Sequence, residues 1–130
     1  MKFIGIDYGT KRVGVAVTDE AGLMAFPKMT LPNNKDLLRA VVAFAREEKA
    51  NAFVVGESKN MHGKDNAIMQ GARAFAEALE KETHLSVHFE PEFYTSVEAR
   101  RLAEGARHVD AEAASIILNS FILKNNDHTT

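Results

Sequence analysis

A mixed α/β sheet flanked by helices, opening with antiparallel strands and continuing through parallel crossovers, is predicted by three observations. Two short apolar segments, FIGI and VGVAV, flank a Gly-containing turn at the start of the chain. Apolar residues adopt helical spacing from Asn34 onward, and the fully apolar AFVVG then stands between two helical patterns, as a strand buried on both faces does.

In chain order, Phe3, Ile4 and Ile6 read as the first strand and Val13, Val15 and Val17 as the second. Asp7 falls where the first strand leaves the core and the turn Tyr8-Gly9-Thr10-Lys11-Arg12 begins. The turn DEAG leads into LMAFPKMTL, whose Pro27 marks a peripheral or irregular third strand. Sequential strands with short links form an antiparallel meander. Leu37, Val41, Phe44 and Ala45 share one face of a helix that closes on REEK. After AFVVG and the polar loop ESKNMHG, a second helix is predicted from about Asp65 to Glu82, with Ile68, Ala72, Phe75 and Leu79 inward. LSVHFEPE alternates, with Leu85, Val87 and Phe89 on one side and Ser86, His88 and Glu90 on a polar side, so it should lie half exposed near a sheet edge. Thr95 and Glu98 make a capping box for a short helix stopped by Gly105. The last helix turns Ala113, Ala114, Ile117, Leu118 and Phe121 inward, with NNDHTT fraying beyond it.

The 130 residues, 45% of them hydrophobic, suit a single domain spanning 1–130 with its own core. The absence of cysteine excludes disulfides, thiolate metal sites and a cysteine nucleophile. No apolar run nears the roughly 20 residues that span a bilayer, and MKFIGID lacks the pattern of a secretory signal. A cytoplasmic protein with no membrane partner is the expectation. The net charge of −2 excludes bulk attraction to polyanions. Any such partner must be held locally, and basic residues do cluster at Lys11 and Arg12, at Lys59 and Lys64, and at Arg100, Arg101 and Arg107, where a solvated helix face explains the last group equally well.

Asp7, Glu57 and Glu92 each follow a strand toward its carboxyl end, where sites in such sheets gather. Singly, each acid has an ordinary explanation: a turn residue at Asp7, a helix cap at Asp110, an exposed loop acid at Glu92. Gathered in one cleft, they would repel one another unless a hard cation neutralised them. His84 and His88, four apart on a strand, are separated by roughly 13 Å and cannot share a metal. His62 and His108 are loop residues within conceivable reach of a substrate.

GIDYGTKRVGVAVTD, VVGESKNMHG, PEFYTSVEA and VDAEAASIILNSFI, in this order, resemble the YqgF-like family of Holliday junction resolvases, also described as pre-16S ribosomal RNA nucleases, within the ribonuclease H-like superfamily. The likeness runs from Lys2 to Leu123. It implies a ribonuclease H-like five-stranded mixed sheet with the first three strands antiparallel. It also implies that Asp7, Glu92 and Asp110 are the catalytic and metal-holding acids of a phosphodiester hydrolase using two Mg²⁺ or Mn²⁺ ions roughly 4 Å apart, with Asp7 bridging them. The partner implied is nucleic acid, either ribosomal RNA precursor or branched DNA, and a homodimer would suit a four-way junction that needs two cuts. Gly9, Thr10, Lys11 and Arg12 then form a phosphate-binding turn, with Asn60, Gly56 and Gly63 shaping the facing wall.

The chain departs from that family at two places. Pro91-Glu92-Phe93 stands where the family has Asp-Glu-Arg, which keeps the glutamate and loses a forked phosphate donor. Glu57-Ser58 replaces an apolar residue and a proline, making Glu57 a further candidate metal ligand or a solvated acid. A nucleic-acid-binding module with little catalysis is therefore the rival. A third alternative is that Asp-x-Gly-Thr resembles the first phosphate loop of sugar kinase and actin ATPases, which need two lobes where this length supplies one.

Overall fold

The computed structural model describes residues 1–57, 67–91 and 109–127. The strands are β1 (Phe3–Tyr8), β2 (Arg12–Thr18), β3 (Ala25–Pro32), β4 (Ala52–Glu57) and β5 (Ser86–Pro91), with helices α1 (Leu37–Glu48), α2 (Ala67–Thr83) and α3 (Val109–Asp127). The strands form one sheet in the order β3-β2-β1-β4-β5. β1 to β3 pair antiparallel, while β4 lies parallel to both β1 and β5. This is the predicted five-stranded mixed sheet. The expected helix between Thr95 and Gly105 and the loop ESKNMHG beyond Glu57 lie outside the described residues. Among the described residues, no helix is long and apolar enough to cross a membrane.

Strand alternation sends the two sides of the sheet to different helices. Ile4, Ile6, Val13, Val15, Phe53 and Val55 meet α1 and α2, where Val41, Met69, Ala72 and Leu79 are buried with them. Ala16 and Val54 face Ala114, Ile117 and Leu118 of α3. Each such aliphatic side chain contributes about 1.5–3 kcal/mol relative to exposure. α3 packs across β2, β3 and β1, and it approaches closely because the sheet offers it glycines. A Cβ at Gly5 would stand 2.5 Å from Leu118 Cγ and 2.9 Å from the Ala114 carbonyl oxygen.

Pro27 sits on β3, an edge strand, paired with Ala16 beside a register shift, which fits a residue unable to donate to a ladder. The β2–β3 turn is closed by Asp19, whose Oδ1 accepts the Leu23 amide at 2.8 Å. That bond is the first of those holding the Asp19 carboxyl below its usual range.

Three expectations need correction. Ile68 is exposed and Met69, buried, takes its place on α2, because the inward stripe runs through 69, 72, 75, 76 and 79. α3 continues through Asn125 to Asp127 rather than fraying at NNDHTT, with Asn125 Nδ2 donating to the Phe121 carbonyl at 2.8 Å.

The third correction concerns Glu90 on the polar side of β5. Ser86 and His88 are exposed as expected, on a strand at the sheet edge with the His88 ring 5.3 Å from that of Phe121, but Glu90 is only 3% exposed beneath α3. The Glu90 Oε2 accepts from Ser120 Oγ and from Lys124 Nζ, both at 2.7 Å. Lys124→Ala would leave this buried carboxylate with one neutral donor, and removing one partner of a buried pair is destabilising. Since the Lys124 side chain is itself half exposed, we expect a loss of about 2 kcal/mol in urea unfolding, and an unchanged midpoint would show that solvent replaces the lysine.

Candidate active site

The carboxyl ends of β1 and β4 lie together because the two strands are parallel. Asp7 is the penultimate residue of β1, one step deeper than a turn residue. It pairs with Gly14 of β2 and is 4% exposed. Its parity with Gly5 places it on the α3 side of the sheet.

Gly14, the partner of Asp7, explains how closely a distant segment approaches this part of the sheet. A Cβ on Gly14 would fall far inside contact distance of the Asp110 carbonyl and 2.8 Å from the Ala111 amide nitrogen, so the first turn of α3 rests directly on the backbone of β2. Cross-strand partners have Cα atoms about 4.5–5.5 Å apart. Asp7 thus pairs with the glycine on which the backbone of Asp110, remote in sequence, rests. The amino-terminal end of α3 adds the positive end of its dipole beneath these two acids.

Arg12, which opens β2, shares the parity of Gly14 and Ala16. Its Nε donates to Asp110 Oδ2 at 3.0 Å, with the Asp110 side chain 14% exposed and that of Arg12 50% exposed. Thr10 and Lys11 in the same turn are exposed. The turn is braced from β3: Asn33 Nδ2 donates to the Gly9 carbonyl at 2.7 Å and the Asn33 amide to that of Lys11 at 2.9 Å. A Cβ at Gly9 would stand 2.6 Å from the Arg12 carbonyl oxygen, so this glycine is required by the turn itself.

The structure turns Glu57 away from these acids. It shares the parity of Phe53 and Val55, on the α1 and α2 side, and its Oε2 accepts from Arg73 Nη2 at 3.1 Å. The Arg73 guanidinium also lies 4.9 Å from the centre of the Phe89 ring. An ion pair thus ties Glu57 to α2. Glu92 and Asn60 lie outside the described residues, as do His62 and His108; Pro91, directly before Glu92, is paired beside Glu57 at the carboxyl end of the sheet. Among the described residues, no three His, Asp or Glu side chains cluster as a metal site. An open groove of about 750 Å³ between α2 and β5, lined by Glu77, Glu80, Lys81, His84 and His88 among others, holds none of the candidate acids.

Gly14 and Asn33 escaped sequence reasoning, although a glycine inside a run of valines is a known sign of close backbone approach. No comparable sign existed for Asn33.

A sheet in this order, with an acid near the end of the central strand and another in the first turn of the helix crossing it, defines a ribonuclease H-like architecture. Solved structures agree on the fold. RuvC from Thermus thermophilus in complex with a Holliday junction substrate superposes with a TM-score of 0.62 at 16% identity, covering 97% of this chain and 96% of that one. The fowlpox virus Holliday junction resolvase does so with a TM-score of 0.58 at 11% identity, over 95% and 99%. Closer in sequence, a protein of Nitratidesulfovibrio vulgaris described as "Putative pre-16S rRNA nuclease" is 41% identical, with 94% of this chain and 93% of the relative covered. One of the same description from Lactobacillus delbrueckii is 34% identical, over 94% and 96%. The family model described as "RuvX: Holliday junction resolvase" matches residues 1–124. The chain belongs to the RuvX family of Holliday junction resolvases.

Proposed function

We propose that this chain is a divalent-cation-dependent nuclease that hydrolyses phosphodiester bonds of structured nucleic acid in the cytoplasm, with a ribosomal RNA precursor as its first substrate and branched DNA as its second. The family supplies the nuclease class, and the names of the relatives above 30% identity favour the RNA. What supports the reading is that Asp7 pairs with Gly14, on which the Asp110 backbone rests, with a guanidinium already lodged on Asp110.

These residues fit a hard cation. Both acids offer carboxylate oxygens, the donors that Mg²⁺ and Mn²⁺ take, and the Arg12 contact marks Asp110 as a place where positive charge is stabilised. Asp7 and Asp110 would hold the metals together with Glu92. Bound there, divalent ions would supply Lewis-acid polarisation of the phosphate and a lowered pKa for the attacking water. Thr10, Lys11 and Arg12 would meet phosphate oxygens at the exposed turn, with Asn60 opposite. Gly9 lets that turn close. With Phe93 in place of an arginine, these cations carry more of the substrate grip, and the rival binding module would show the same affinity without cleavage.

Asp110→Asn separates the roles open to that acid. As a metal ligand, its loss should abolish Mg²⁺-dependent cleavage of an end-labelled precursor RNA and weaken Mn²⁺ binding. If Asp110 served only the helix terminus, stability would fall by about 1 kcal/mol with cleavage intact. A four-way DNA junction assayed beside the RNA discriminates the substrates, and sedimentation with the junction tests whether two copies act as a pair.

A further inference from the structure

We propose that Arg12 is a resident cation that occupies Asp110 in the metal-free protein and is displaced to a nucleic-acid phosphate when a divalent ion binds, so that one guanidinium couples metal binding to substrate grip. This inference rests on the metal reading of Asp7 and Asp110 and adds to it a role for Arg12.

Three features carry it. First, Arg12 and Asp110 meet through a single bond, Nε to Oδ2 at 3.0 Å, and among the described residues Arg12 has no other hydrogen-bond or ion-pair partner. Both terminal nitrogens are left available for an anion, and a guanidinium fork suits two phosphate oxygens. Second, the exposure is asymmetric. The Asp110 side chain is 14% exposed and stays with the helix, whereas that of Arg12 is 50% exposed and free to swing outward from the start of β2. Third, Arg12 follows the exposed turn residues Thr10 and Lys11, so its outward position adds to the positive charge of that turn.

Energetics favour exchange over permanence. A half-exposed ion pair with one hydrogen bond is weak, and a divalent ion between two carboxylates carries twice the charge of a guanidinium. Without the exchange, a bound metal would confront an arginine fixed on its own ligand. With it, the carboxylate passes from one cation to the other and the arginine becomes free where the substrate arrives. Coupling of this kind is reciprocal: a nucleic acid that draws Arg12 away also strengthens metal binding.

The test uses the full chain and two readouts. Titration calorimetry with Mn²⁺ alone should show Arg12→Ala binding the ion about threefold more tightly than the parent, as expected for removal of a weak competing pair. In the parent protein, the Arg12 Nε–Hε NMR signal should be protected from exchange without metal and should lose that protection on saturation with Mg²⁺. Unchanged or weaker Mn²⁺ affinity in Arg12→Ala overturns the proposal. So does a signal indifferent to saturating Mg²⁺, even where affinity rises, because simple charge repulsion would then explain the rise. Asp110→Asn distinguishes the layers: if it binds Mn²⁺ as the parent does, the metal site itself fails. If it loses Mn²⁺ while Arg12→Ala changes nothing, only the exchange fails.

Discussion

Asp7→Asn should abolish divalent-dependent cleavage and leave the fold intact. The side chain is buried within β1, opposite Gly14 and beneath the first turn of α3, and asparagine has nearly the same shape, so packing has little to lose. Charge is what changes. A ligand that holds a metal at the reacting centre supports several kcal/mol of transition-state stabilisation, and its removal should slow cleavage about a thousandfold or more, equivalent to ~4 kcal/mol. Asparagine also removes a charge from a buried position, so the melting temperature should stay within about 4 °C of the parent or rise. Single-turnover cleavage at saturating Mg²⁺ together with a thermal melt measures both. A variant that melts normally and still cleaves at the parent rate would remove Asp7 from the chemistry.

Gly14→Ala should damage both stability and metal binding, although the residue carries no functional group. Its new methyl would overlap the Asp110 carbonyl and crowd the Ala111 amide, and backbone cannot yield as a flexible side chain can. Either α3 lifts or β2 distorts. Overpacking of this kind costs about 1–3 kcal/mol, only partly offset by the stiffer unfolded chain that alanine brings. Because the displaced atoms belong to Asp110 itself, Mn²⁺ affinity should fall about tenfold or more, a difference of ~1.4 kcal/mol or greater.

Gly5→Ala is the comparison. It presses on Leu118 and Ala114 in the same helix, further along from the first turn, and should destabilise while sparing most of the metal affinity of the folded protein. Equal effects on affinity at the two positions would mean that α3 moves as a rigid rod and that Gly14 has no special part in the site.

The strands were largely legible because alternation is a local property. Val13, Val15 and Val17 announce which side of β2 is buried, and AFVVG announces a strand covered twice. Alternation does not say what covers a side. Ser86 and His88 are exposed as the alternation predicts, yet on the same side Ser120 and Lys124 of α3 reach Glu90, and a carboxylate that looked exposed becomes a buried partner of a lysine far along the chain. Ile68 failed for a smaller reason: two adjacent apolar residues on a helix cannot be ranked until the packing partner is known, and Met69 faced it.

The site divides in the same way. Asp7 stood out because an acid interrupts a run of β-formers. Glu92 was marked by its place after a strand and Asp110 by the family resemblance, since nothing else local separates them from a loop acid and a helix-terminal acid. The ion pair between Arg12 and Asp110 joins opposite ends of the chain, and no spacing rule reaches that far. Glu57, an acid at a strand end, stood as a further candidate ligand or a solvated acid, and side-chain parity sets it against Arg73, a partner no spacing announced.

Anomalous diffraction from a crystal of the full chain soaked in Mn²⁺ tests the central claim most directly. The account predicts a strong peak within coordination distance of carboxylate oxygens of both Asp7 and Asp110, with Arg12 moved off the latter. Saturating Mn²⁺ that leaves this corner without a peak, and the guanidinium still bonded to Asp110, would contradict it.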